Sequence, residues 1–375
     1  MPIRVLEVIR QGEVGGGESH VIDLVNGLRL HSDIEPIVLA FSNGPMIENL
    51  TGEGVRCHVI PSARAFDAKA MKEVRRLIKS EGINLVHAHG SRAAANVIPL
   101  CRVMHLPCVY TVHGWSFHEG QSRLTYWLRE QSERLLCHEA NRVICVSQSN
   151  LATGINAFSL STAKTTVIEN GINLTRFNAD ASYPDLRSTL GFSQEDFVVA
   201  FICRITEQKG PMDFVIAVQE AASRDPHIKA LMVGDGDMAA DVDSYISSHG
   251  LQQVIRRQPF RSDVPALLAN ADIFCLPSLW EGLSIAMLEA MAMRKPMVVT
   301  LTDGARDIIT NEQNAIVVPP RQPQALAEAF VRCAADSNLC CRLGRSAYEL
   351  VRQRFDSQRV SDSVAQIYKE LASCE

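Results

Sequence analysis

Short runs of apolar, often β-branched residues recur along the chain and alternate with amphipathic stretches, the pattern of parallel strands joined by helices. In the first half the runs predict strands at 4–9, 36–41, 57–60, 85–89, 109–113, 142–146 and 166–169. The series then restarts at 197–203, 229–233, 254–260, 273–277, 296–300 and 315–318. Runs apolar on both faces imply sheets covered by helices on both sides, hence two doubly wound α/β units. Two such domains facing each other leave an interdomain cleft at the carboxyl ends of their strands, where open α/β sheets bind ligands. The segment 352–375 predicts a terminal helix.

A length of 375 residues suits two domains, each large enough for its own core. The polar, turn-rich segment 170–191 is the expected hinge. It divides the chain into a domain over 1–170, a second over 171–355, and a helix over 356–375 that packs back toward the first. The net charge of −5 argues against a nucleic-acid binder. That total hides an asymmetry, because residues 1–168 carry 17 basic and 15 acidic side chains and the remainder 20 and 27. No window nears 18 uninterrupted apolar residues, and Glu7 and Arg10 interrupt what would be a signal-peptide core, so a cytoplasmic protein is expected. Eleven cysteines, several inside apolar runs, read as reduced buried thiols, and without a CxxC pair no zinc site is expected.

Three segments carry chemistry. The loop after the opening strand holds Gly15, Gly16 and Gly17 before a helix, which lets backbone amides approach a phosphate. It fails the dinucleotide fingerprint, since His20 stands where a third Gly or Ala belongs. A tight turn without a ligand is the plain alternative. After the first strand of the second unit, Arg204 and Lys209 precede Gly210-Pro211, and two cations there can neutralise a diphosphate. After a later strand, Glu281-Gly282-Leu283-Ser284 leads into a helix bearing Glu289. Ser284 can cap that helix, whose free amides suit phosphate, while the two carboxylates suit sugar hydroxyls.

With Glu281-x7-Glu289 inside PSLWEGLSIAMLEAMA, Arg204-x4-Lys209-Gly210, Gly234-Asp-Gly236 and the GGGESH opening, the chain resembles a family 4 retaining glycosyltransferase of the GT-B fold over nearly its whole length. The resemblance implies that Gly16 and Gly17 lie against the donor diphosphate and that Arg204 and Lys209 bind it and stabilise the departing nucleotide. Glu281 would hold donor-sugar hydroxyls, the amides of Gly282, Leu283 and Ser284 would face sugar and phosphate, and Glu289 would accept from the ribose. His113 matches the family's histidine beside the reacting sugar, and Phe260 and Arg261 fall where the nucleobase rests. The implied reaction moves a hexose or N-acetylhexosamine from a nucleoside-diphosphate sugar, UDP-linked rather than GDP-linked, to a glycan or lipid-linked acceptor of a bacterial surface polysaccharide. No cofactor or metal is expected. Neither first-domain motif offers a carboxylate nucleophile, so front-side attack is preferred to double displacement. A GT-B epimerase or phosphorylase is the alternative enzyme, and a Rossmann-type dehydrogenase or an inactive nucleotide-sugar binding module lies further off.

The hinge reads Glu169-Asn-Gly-Ile-Asn173, where relatives more often have Pro first and Asp last, which leaves Asn173 without an assigned role. Asp235-Gly-Asp237 imitates a metal motif but falls in a turn after a strand. His87 and His89 point the same way by strand alternation, with no third ligand evident nearby. Lys69, Lys72, Arg76 and Lys79 share a helical face over residues 67–80, which suits either plain solvent or the anionic inner face of a membrane. Trp115, Phe117, Tyr126 and Trp127 suit core packing, sugar stacking or lipid.

Overall fold

The computed structural model describes residues 2–13 and 15–373. The strands are β1 (Ile3–Ile9), β2 (Ile34–Ala40), β3 (Arg56–Val59), β4 (Leu85–His89), β5 (Cys108–Val112), β6 (Arg142–Cys145) and β7 (Thr165–Val167). They are followed by β8 (Phe197–Ile202), β9 (Ile228–Val233), β10 (Ile255–Gln258), β11 (Ile273–Leu276), β12 (Met297–Val299) and β13 (Ile316–Val317). The first seven form one sheet in the order β3-β2-β1-β4-β5-β6-β7, and the other six form a second in the order β10-β9-β8-β11-β12-β13. All recorded strand pairings are parallel. Both sheets reverse direction of growth next to their first strand, between β1 and β4 and between β8 and β11. Ligands of such sheets bind outside the strands' carboxyl ends at that switch point.

The chain divides into one unit of Met1–Gly171 with Ser357–Glu375, and another of Ile172–Asp356. The period of two sorts β1 cleanly. Leu6 and Val8 enter a large core with Ile37, Leu39, Val86 and Tyr110. Val5 points to the opposite face, where Leu24, Leu28, Leu85, Val109 and Ile144 meet Val360, Val364, Ile367 and Tyr368 of the last helix. The second unit has its own core, including Val199, Phe201, Phe214, Met232, Cys275 and Phe330.

Strand ends differ from the sequence reading by a residue or two, and some differences matter. The 109–113 strand stops at Val112, so His113 and Gly114 (φ 154°) begin a loop. The 254–260 strand stops at Gln258, which leaves Phe260 and Arg261 in the following loop. The expected single helix over 352–375 is corrected to two: Ser337–Arg354 ends before Phe355, and Ser357–Ala372 begins anew. The break has a physical cause. Phe355 is buried and its carbonyl accepts the Ile172 N–H at 2.8 Å, which takes the backbone out of helical register. The last helix then lies on Gly16–Leu28, where a Cβ on Gly27 would stand 2.5 Å from the Ser361 Cβ.

The basic helix spans Ala68–Glu81. Asp67 caps it by accepting the amides of Lys69 and Ala70, and Gly82 closes it in the left-handed region at φ 62°. Ala70, Val74 and Ile78 are buried, while Lys69, Lys72, Arg75, Arg76 and Lys79 are exposed. Among the described residues no helix is long and apolar enough to cross a membrane.

Candidate functional site

In the second unit the loops after β8 and β11 meet at the switch point. Lys209 ends a short 3₁₀ turn, and its ammonium donates to Glu281 Oε1. The Ser278 hydroxyl donates to the same oxygen at 2.9 Å, and Gln208 Nε2 donates to Oε2 at 3.3 Å. The Lys209 and Glu281 side chains are only 10% and 9% exposed, so the pair is nearly withdrawn from water. Each loop also braces the other through backbone. The Leu279 N–H donates to the Gln208 carbonyl at 2.7 Å, and Gly210 (φ 64°) presses on the Pro277 carbonyl where a Cβ would not fit. Gly304 supports the second loop from behind, since a Cβ there would lie 2.6 Å from Leu283 Cα and overlap the Gly282 carbonyl.

The half-buried Cys203 thiol follows β8 directly. Burial pushes Cys203 up to about 12, and the charges of Lys209, Glu281, Arg204 and Glu289 all act on it, the cations downward and the carboxylates upward. Of the four predicted charged residues, Lys209 and Glu281 are in direct contact, and Arg204 follows β8 in the same loop as Lys209. Glu289 is half-buried in the Ile285–Ala292 helix, which Gly282, Leu283 and Ser284 precede as a buried run. Ser284 does occupy the N-cap position, but its hydroxyl makes no cap bond, which corrects the expected capping role. Its Oγ is buried without a hydrogen-bond partner.

Phe260 and Arg261 lie in the loop after β10. The Phe260 N–H donates to Asp235 Oδ2 at 2.7 Å, and Arg261 makes a two-point contact with Asp263 at 2.8 and 2.5 Å. Asp235 thus braces the loop after β10. Asn173 accepts the amides of Thr175 and Arg176, which gives it a turn-forming role.

The first unit holds its polar groups at the equivalent place. Gly16 starts the Gly16–Leu28 helix, and Gly17 has open space, with Ile9 Cδ1 at 4.0 Å from where a Cβ would stand. His113 is half-buried, with Nε2 3.2 Å from His89 Nδ1. His89 Nε2 lies 2.8 Å from Glu7 Oε2, and the Tyr368 hydroxyl donates to Glu7 Oε1 at 2.6 Å. His87 contacts Tyr368 at 2.5 Å and Thr111 at 2.7 Å. Neighbouring register explains the assembly, because Glu7 pairs with His87 across β1 and β4, and His89 with Thr111 across β4 and β5.

The sequence reading found no third ligand for His87 and His89. That is corrected here, since Glu7 joins them in one group, and His20 and His113 join His89 in another, with ligating atoms within 4.8 Å of one another. The available signal was Glu7 itself, an acid in the middle of a fully buried stretch of a parallel strand. These groups have the donor set of a divalent-ion site. Asp235 and Asp237 belong to neither. Of the aromatic quartet, Trp115 and Phe117 are buried and stack on each other, whereas Trp127 is 54% exposed.

Burial, then the neighbouring imidazoles, pushes His20 down to about 3 and His113 well below its ordinary value. Burial and His87 lower His89 to about 4. Burial alone would raise Glu7, but the His87 charge and the hydrogen bonds from His87 and His89 hold it below the carboxylate range. Between the unfolded value near 6.5 and these folded values, the unfolded chain binds protons that the folded chain refuses. Stability is therefore complete above that window and falls as pH drops through it, by about 1.4 kcal/mol per pH unit for each imidazole kept neutral. Urea unfolding followed from pH 7 to 4.5 is expected to show this early loss, and a flat profile would contradict neutral imidazoles.

Comparison with known proteins agrees with this geometry. Residues 14–176 match the domain described as Glycosyltransferase Family 4, and residues 182–350 that described as Glycosyl transferases group 1. The UDP-Gal:alpha-D-GlcNAc-diphosphoundecaprenol alpha-1,3-galactosyltransferase of Escherichia coli is 27% identical over 307 residues, 79% of each chain. The putative glycosyltransferase EpsD of Bacillus subtilis is 24% identical over 320 residues, 82% of this chain and 83% of its own. In structure, Anabaena Alr3699/HepE in complex with UDP and glucose superposes with a TM-score of 0.84 at 23% identity, covering 98% of this chain and 99% of its own. WaaG, a glycosyltransferase involved in lipopolysaccharide biosynthesis, superposes with a TM-score of 0.77 at 15% identity, covering 97% and 99%.

Proposed function

We propose, from the premise that the chain is a glycosyltransferase of the GT-B fold with a family 4 domain followed by a group 1 domain, that it moves a hexose or N-acetylhexosamine from a UDP-sugar to a glycan or lipid-linked acceptor with retention of configuration. The observation that carries the reading is the buried Lys209–Glu281 pair in the loops after β8 and β11. Arg204 and Lys209 neutralise the donor diphosphate, Glu281 accepts from sugar hydroxyls, and Glu289 accepts from the ribose. The buried amides of Gly282, Leu283 and Ser284 face sugar and phosphate. The HepE complex holds UDP and glucose, and the Escherichia coli relative takes a UDP-sugar, which favours uridine in the donor.

On the first unit, the family resemblance assigns His113 to the reacting sugar and Gly16 and Gly17 to the donor diphosphate. The acceptor oxygen attacks the anomeric carbon on the face from which the diphosphate leaves. The carbon–oxygen bond to phosphate breaks, and the departing phosphate oxygen takes the acceptor's proton. Cationic side chains supply the charge stabilisation, so the step requires no divalent ion. The names of the relatives point to synthesis of a bacterial surface polysaccharide. Contact with the cytoplasmic membrane's inner face fits Lys69, Lys72, Arg75, Arg76 and Lys79, all exposed, at about 1 kcal/mol per well-placed charge.

A panel of nucleotide sugars read by thermal shift tests the donor, because a bound ligand raises stability with the logarithm of its concentration over Kd. UDP-hexoses are expected to raise Tm with and without EDTA, and UDP is expected to be released only when an acceptor is present. Nucleotide release without acceptor would favour an epimerase or phosphorylase, and a strict manganese requirement would overturn the metal-free mechanism.

A further inference from the structure

The first unit also contains an open groove of about 710 Å³ beyond β1, lined by Arg10, Ser62, Arg64, Arg92 and the rings of Phe41 and Phe66 among others. Three arginines thus line one hollow. Arg10 and Arg92 make no ion pair with any carboxylate among the described residues, whereas many other arginines of this chain do. The acid on the groove wall, Asp67, spends its carboxylate on the Ser62 hydroxyl at 2.8 Å and on the amides of its own helix. Arg64 is the cation whose charge acts on it. Arg92 is half-buried, and burial followed by the charges of Arg10 and Arg129 pushes its guanidinium below the ordinary value. Gathering like charges while removing water from one of them is unfavourable unless an anion arrives to compensate.

A second observation concerns the rim. Phe66 is 44% exposed and sits at φ 55°, a strained left-handed conformation for a bulky residue that occurs preferentially at ligand clamps. The surrounding fold holds it there. Asn96, fully buried, accepts the Asp67 N–H at 2.8 Å and donates to the Arg64 carbonyl at 2.9 Å, which pins both ends of the 64–67 loop. The two bonds hold in place the loop that carries both Arg64 and Phe66 along the groove.

We propose that Arg10, Arg64 and Arg92 form an acceptor subsite that binds a phosphate or diphosphate group, with Phe66 against an apolar chain attached to it. Guanidinium forks match phosphate oxygens two at a time, which lysines do not, and an apolar group leaving water gains on the Phe66 face. The proposal rests on the reading of the first unit as the acceptor side.

The test titrates the full chain, saturated with UDP to occupy the donor site, with inorganic pyrophosphate and with geranyl diphosphate, followed by thermal shift. Pyrophosphate is expected to raise Tm, with an affinity at least about tenfold weaker in the Arg10→Gln/Arg92→Gln variant. Without added anion that variant is expected to melt at the same temperature or higher, because a repulsion has been removed; a merely structural pair of arginines would lower it. Equal pyrophosphate responses in wild type and variant, or none in either, would overturn the subsite. Geranyl diphosphate binding at least about fivefold tighter than pyrophosphate supports the Phe66 contact, and equal affinities overturn that half of the proposal while the phosphate half stands. Absence of any UDP shift would count against the donor reading alone, since the comparison between wild type and variant still decides the groove.

Discussion

Lys209→Ala is expected to lower kcat/KM for transfer by about 10²–10³-fold, the usual loss on removing one preorganised donor from a developing negative charge. Glu281→Ala is expected to lose a comparable factor by releasing the donor sugar's hydroxyls. Both substitutions also act on stability, because the two side chains are 10% and 9% exposed and each is the other's counter-ion. Removing one leaves a charge buried and unpaired, at a cost of about 3–5 kcal/mol. The observed pair predicts a lowered urea midpoint in the second unit. Lys209→Met combined with Glu281→Gln separates the two effects, since it removes both charges at once and is expected to recover much of the stability with none of the activity. A folded Lys209→Ala or Glu281→Ala enzyme with near-normal turnover would sink the site assignment.

Why the donor-side charges were legible is a matter of topology. Parallel strands buried on both faces declare themselves as apolar runs, and in such sheets chemistry collects in the residues that follow the runs. Arg204, Lys209 and Glu281 occupy such positions, Glu289 lies inside the helix that follows, and their expected roles came from the resemblance to family 4 rather than from periodicity. The spacing carries no information about pairing, however. That Lys209 lies against Glu281, with Gln208 and Ser278 on the same carboxylate, depends on which loop faces which across β8 and β11. Tyr368 and Glu7 illustrate the same limit more strongly. They are 361 residues apart and form one hydrogen bond, and the tyrosine reads in sequence as an ordinary apolar position of an amphipathic helix. The groove of Arg10, Arg64 and Arg92 was likewise invisible, since it draws one residue from the end of β1, one from the loop after β3 and one from the helix Ser91–Met104. Surface arginines at such separations carry no pattern until the fold gathers them.

Ending the chain at Asp356 is expected to unfold the first unit, although every residue removed lies at the far end of the sequence. The Ser357–Ala372 helix supplies Val360, Val364, Ile367, Tyr368 and Leu371 to the face of the first sheet that also holds Val5, Leu24, Leu28, Leu85 and Val109. Five large side chains at about 1.5–3 kcal/mol each come to on the order of 10 kcal/mol, as much as a whole domain usually has to spare. Truncation also strips the hydroxyl that donates to Glu7 and contacts His87, leaving a buried carboxylate short of a donor. Tyr368→Phe isolates that polar part and is expected to cost only about 1–3 kcal/mol, within what the unit can bear. The measurement is urea unfolding of the truncated chain, the Tyr368→Phe variant and the wild type. The truncated chain is expected to lose one cooperative transition and keep that of the second unit, whose core includes none of residues 357–375. Two intact transitions after truncation would show that the helix merely rests on the first sheet, and the buried cluster around Leu24 and Leu28 would then need another source of its stability.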